Sequence, residues 1–153
     1  MVLAGFVAAY SASLIPWALA APVSDAGHAA FLAMSAIIAG KQTLDPALAQ
    51  RLYDALAADN PAFPKQAQSL LSFVEAGKID PLVLQKTLDE QKSPLAKLPK
   101  KIASAWFLGI VGEGEKARCI AYENALNAVI VSDVLKPPTY AYGAYGSWSR
   151  KPL

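Results

Sequence analysis

Proline and its neighbours set the lengths of the elements this chain can form. Asp45-Pro46 and Asp80-Pro81 each put a side-chain acceptor before a residue pre-set for the first helical turn, where no N–H is needed. Phe63-Pro64 and Ser93-Pro94, the latter followed by Pro99, open two further segments, and Gly40 and Gly77 close two. Between these marks apolar residues recur at helical spacing. Phe31, Met34, Ile37 and Ile38 predict a first helix over Gly27 to Ala39. Leu48, Leu52, Tyr53 and Leu56 share one face of the next, which ends near Asp59-Asn60-Pro61. Ala67, Leu70, Leu71 and Val74 form a third stripe, and Leu82, Leu84 and Leu88 a fourth. Ile102, Trp106, Phe107 and Ile110 form a fifth, broken by Gly112 and Gly114. A last helix is expected from about Glu115 to Val131, with Ile120, Leu126, Val129 and Ile130 apolar. Nothing alternates with a period of two, so no sheet is expected. The predicted fold is all-α, a compact bundle of about five or six short helices.

The two ends depart from this pattern. No charged side chain precedes Asp25, and Leu3 to Leu19 is apolar and small, interrupted by Ser11, Ser13 and Pro16. Ala18-Leu19-Ala20 fits the small-x-small rule for signal-peptidase cleavage, so residues 1–20 read as a signal-like segment. They lack the basic start that such signals carry; a buried core helix or a retained anchor are the alternatives. Residues 21–136 form the helical domain. Residues 137–153 hold Pro137, Pro138 and Pro152 with Tyr140, Tyr142, Tyr145 and Trp148. That is too much Gly and Pro for a helix and too many aromatics for a solvated tail. An extended, aromatic, proline-rich C-terminal arm is expected, with a surface to bury against.

The residue inventory excludes most self-contained chemistry. Hydrophobic residues make up 54% of the chain and charged residues 17%, with a net charge of +2. Lys97, Lys100 and Lys101 are the one short basic cluster, read as a solvated helix start, and nucleic-acid binding would need a concentrated basic face. One cysteine, Cys119, cannot form an internal disulfide. It is expected buried on a helix; after export it would stay buried or pair with another chain. With His28 as the one histidine, a structural zinc site lacks ligands, and His28 itself reads as a first-turn helix residue. Gly112-Glu113-Gly114-Glu115 follows a helix and carries two acids, so it reads as a turn, not a phosphate cradle. There is no Cys-x-x-Cys-His for covalent haem. No catalytic, cofactor-binding or metal-ligating residue is assigned to this chain. Trp106 and Tyr122 bring polar handles that suit either core packing or another subunit.

The order of C-terminal motifs resembles a known family. Ala105-Trp106-Phe107-Leu108-Gly109-Ile110-Val111, Tyr122-Glu123-Asn124-Ala125-Leu126, Val131-Ser132-Asp133-Val134-Leu135, Pro138-Thr139-Tyr140 and Gly146-Ser147-Trp148-Ser149-Arg150-Lys151-Pro152 carry the resemblance. Phe31-Leu32-Ala33-Met34-Ser35 and Gly40-Lys41 agree more loosely. Together they are similar to the small subunit of membrane-bound, FAD-dependent sugar and polyol dehydrogenases of the sorbitol, fructose and glucose types. The resemblance implies a non-catalytic chain beside two partners. A large subunit would hold FAD and an iron–sulfur cluster, and a multi-haem cytochrome c would pass electrons to quinone. It also implies that the small subunit helps the large one mature and exports it through the twin-arginine machinery. The complex would then lie in the periplasm, reaching the inner membrane only through its assembly. The chain departs from the family pattern in one respect, because no Arg-Arg precedes the apolar segment.

An aromatic arm stiffened by proline suits a partner surface, since its ordering cost on binding is low. Tyr140, Tyr142, Tyr145 and Trp148 are therefore expected to contact the flavoprotein, with Trp106 and Tyr122 as further candidate contacts. The arm could instead fold back over its own bundle. Two other readings stand beside the subunit: a free-standing periplasmic helical binding or adaptor protein, and an enzyme using Tyr122 and Glu123 in a cleft.

Overall fold

A computed structural model describes residues 25–133. Residues 1–24 and 134–153, and with them the signal-like segment and the arm, lie outside the described residues. Six α-helices and one two-stranded hairpin are present among the described residues. Helix α1 spans Ala26–Ala39, α2 Pro46–Asp59, α3 Phe63–Gly77, α4 Leu84–Glu90, α5 Leu98–Leu108 and α6 Leu126–Ile130. Strands β1 (Ile110–Val111) and β2 (Arg118–Cys119) lie between α5 and α6.

Helix α1 has no charged residue within it, and it occupies the middle of the fold. A helix apolar around most of its circumference must be covered on several sides. Here α3 and α5 supply most of the cover, with α2 beside them. Asp25 caps it by accepting from Gly27 N–H at 2.9 Å, and Gly40 ends it in the left-handed region at φ 61°. Phe31 and Met34 are fully buried, and the Ser35 hydroxyl, also buried, donates to the Phe31 carbonyl at 2.6 Å. The centre is aromatic. Phe31 stacks on Trp106 with ring centroids 6.3 Å apart and meets Phe63 edge-on at 5.8 Å.

The two Asp-Pro devices form as expected. Asp45 accepts from the N–H groups of Ala47 and Leu48 at 2.8 and 3.1 Å. Asp80 accepts from Leu82 N–H at 2.9 Å, but the element it opens is a 3₁₀ turn, Pro81–Val83, ahead of α4. The tighter turn rotates Leu82 out of the apolar stripe, leaving it 92% exposed, while Leu84 and Leu88 are buried. At the end of α3 the left-handed residue is Lys78, not Gly77. Gly77 is needed for space: a Cβ there would lie 2.9 Å from the Ile79 side chain, which folds back as the helix ends.

The larger departure lies after α5. That helix stops at Gly109, three residues before the expected break, and the chain turns into a hairpin instead of a sixth long helix. Ile110 pairs with Cys119 and Val111 with Arg118 in antiparallel register. Gly109 is required at the turn. Its φ is 67°, its carbonyl accepts from Ile120 N–H at 2.7 Å, and a Cβ would run into the carbonyl oxygen of Ala121. Arg118 ties the hairpin to the body by donating to the Ala55 carbonyl at 3.3 Å. The expected helix from Glu115 to Val131 is reduced to α6, five residues long. Arg118 and Cys119 pair with β1 instead of continuing a helix, and helix resumes only at Leu126. Val111, Ala121, Ala125 and Leu126 reach the core.

Candidate partner-binding surface

Six of the eight exposed large apolar side chains among the described residues fall between Leu108 and Val131. They are Leu108, Ile110, Tyr122, Val129, Ile130 and Val131. The Gly109 turn explains how distant positions come together. Its carbonyl binds both Ile120 and Ala121, which sets Leu108 and Ile110 beside the chain leading to Tyr122. Helix α6, which carries Val129 and Ile130, packs on α5, the helix that ends in Leu108. Leu108 and Ile130 are 53% and 54% exposed. Glu123 and Asn124, both exposed, flank Tyr122, and exposed apolar side chains gathered in one stretch of chain are surface that a protein contact can use.

The residues singled out in the sequence separate here. Tyr122 lies in this cluster, 48% exposed. Trp106 is in the core at 1% exposure against Phe31, and its indole N–H has no hydrogen-bond partner, so a partner could reach it only by opening the core. Tyr140, Tyr142, Tyr145 and Trp148 lie outside the described residues. Val129 and Ile130, expected inside, are outside because α6 is too short to hold one continuous stripe against the body. Cys119 is likewise exposed on β2, and not buried on a helix. Ile110 was not legible as a surface residue, since the α5 stripe runs to it and only the turn at Gly109 takes it out.

A second grouping joins α1 and α2. The Tyr53 hydroxyl donates to Asp25, the residue capping α1, and the His28 ring lies 4.8 Å from the Tyr53 ring. His28 is in the first turn of α1, as expected. Burial, then the hydrogen bond to Asp25, pushes the Tyr53 phenol well above the usual range. The bonds from Tyr53 and from the Gly27 backbone hold the Asp25 carboxyl below its ordinary value. The arrangement acts as a clasp between helices, since Tyr53 is closed in and Gly27 leaves no room beside Pro64 for a side chain.

The family described as membrane bound FAD containing D-sorbitol dehydrogenase matches residues 1–152. The chain belongs to this family. It is a subunit of a dehydrogenase complex. No curated protein matches it.

The described residues of this subunit build no Rossmann-type cradle for a dinucleotide. Such a cradle needs a strand leading through glycines into a helix N-terminus that receives the pyrophosphate. Here Gly112 and Gly114 lie inside a hairpin, followed by a single 3₁₀ turn, and Glu113 and Glu115 are exposed beside them. A groove of about 390 Å³ is present near α5, and neither Tyr122 nor Glu123 lines it. No group of three potential metal ligands occurs among the described residues. No helix among them is long and apolar enough to cross a membrane.

Proposed function

We propose that this chain is the non-catalytic small subunit of an FAD-dependent sugar or polyol dehydrogenase complex, which binds the flavoprotein large subunit and assists its maturation and export. The observation that carries the reading is the apolar cluster around Leu108, Ile110, Tyr122 and Ile130, on a body whose described residues build no dinucleotide cradle. A protein contact is the chemistry such a surface supports, and Tyr122 is the residue type that anchors one. The arm from Pro137 to Leu153 would add Tyr140, Tyr142, Tyr145 and Trp148 to that contact. In this reading redox chemistry belongs to the partners: FAD and an iron–sulfur cluster in the large subunit, haem c in a cytochrome. The membrane and the periplasmic location are reached through the complex and its twin-arginine export.

Co-purification tests this. The chain is affinity-tagged, expressed with its neighbouring genes, and the absorption spectrum of the captured material recorded. Flavin bands together with a large partner are expected. A colourless, solitary chain from either an N- or a C-terminal tag would sink the proposal.

A further inference from the structure

The groove beside α5 joins apolar and basic surface. Leu56 and Val111 are buried at its base, and Ile110 stands partly exposed at its side. Lys97, Lys100 and Lys101 also line it. Lys101 lies 3.7 Å from Asp59, another lining residue, and that pair is already made. Lys97 and Lys100 are exposed and form no ion pair among the described residues, and Glu113, the remaining carboxylate of the groove, is paired with neither. The lysines stand around the first turn of α5, a turn without an acidic residue and with no side-chain cap. Cations are unfavourable there for the helix itself. The local rule is broken, as it is where a surface serves something other than its own fold.

We propose that this groove receives a short segment of the FAD-containing large subunit that presents a carboxylate beside an apolar side chain. The inference rests on the small-subunit reading and names a second contact for it. The segments of this sequence outside the described residues carry no acidic side chain. Residues 1–24 contain no charged side chain, and residues 134–153 contain Lys136, Arg150 and Lys151 but no Asp or Glu. The acidic side chain is therefore placed on the partner. Ile110 belongs both to the groove and to the exposed apolar cluster, so one partner can engage the two continuously. Lysines at such an edge act on encounter rate and salt dependence more than on the final packing.

The test measures binding of the whole chain to the immobilised large subunit at about 50 and about 300 mM salt, a span over which exposed charges become strongly screened. Wild type, Lys97→Glu/Lys100→Glu, Lys97→Gln/Lys100→Gln and Ile130→Glu are compared, each with its thermal unfolding midpoint. Wild-type affinity is expected to fall on the order of tenfold across that range. The charge-reversed variant should start on the order of tenfold weaker and respond little to salt, with the Gln variant between and all midpoints unchanged. Wild-type affinity and salt response in the charge-reversed variant overturn the groove assignment, while loss of binding in Ile130→Glu keeps the subunit reading intact. Absence of binding by wild type overturns both. Self-association of wild type that the lysine changes abolish assigns the groove to a second copy and overturns the proposal.

Discussion

The phenolic hydroxyl of Tyr53, on α2, donates to the carboxylate of Asp25, the residue that caps α1. The bond spans 28 positions of sequence and fastens the start of the central helix to its neighbour. Asp25 therefore has two duties, toward Gly27 N–H and toward Tyr53.

Tyr53→Phe removes one of them. A lower unfolding midpoint is expected, by a few degrees near neutral pH. The folded pKa of Asp25 is depressed below 3.8, so its contribution is present above that value and is lost as pH falls through the folded pKa. Wild-type stability should thus drop with acidification below about pH 4, and the drop should be shallower in Tyr53→Phe. Thermal melts of both proteins between about pH 2 and 7 check this; parallel curves refute it.

At the alkaline end the sign comes from Tyr53 itself. Its folded pKa is raised above 10.0, so the unfolded chain releases the proton first and stability declines as pH climbs past 10. Tyr53→Phe should lose this part of the decline, which denaturant titrations at about pH 9 and 11 would show.

Gly109→Ala tests the turn that makes the surface. A left-handed backbone costs an alanine about 1–2 kcal/mol, and the methyl group also meets the Ala121 carbonyl. A loss of about 2 kcal/mol or more is expected by chemical denaturation. Gly40 has a similar φ of 61° with open space around a Cβ, so Gly40→Ala should cost about half as much or less.

Leu82 and Leu88 share a sequence pattern but not an environment. Leu88→Ala should cost about 2–5 kcal/mol because it opens a cavity in the core. Leu82→Ala should lie within about 0.5 kcal/mol of wild type. Equal costs would mean that Pro81–Val83 continues α4 as one helix.

Cys119 should react with a thiol reagent in the folded protein at a rate close to that of the denatured chain, since its side chain is exposed. Protection by more than about a hundredfold, corresponding to local opening of about 2.7 kcal/mol, would place it in the interior.

The devices legible from sequence are those that act within a few residues. Asp45-Pro46 and Asp80-Pro81 cap through acceptors and a fixed φ that need nothing distant, and Gly40 needs only the helix it ends. The candidate surface was legible in one residue, Tyr122. Ile110 extends the α5 stripe in sequence, while Val129 and Ile130 read as core, and local spacing contains no information about where a partner strand will pair.

Residue order was enough to specify an all-α body of short helices, with α1 central because it has no charged face to turn outward. Three-dimensional packing settled the rest: that α5 stops at Gly109, that β1 pairs with β2, and that Ala121 crosses close above the turn. The reason is range. A helix satisfies its backbone within itself, so its residues announce it, whereas a two-residue strand exists only once its partner, several positions away, has been brought against it. That pairing moves Ile110 and Val129 from a predicted core to the surface.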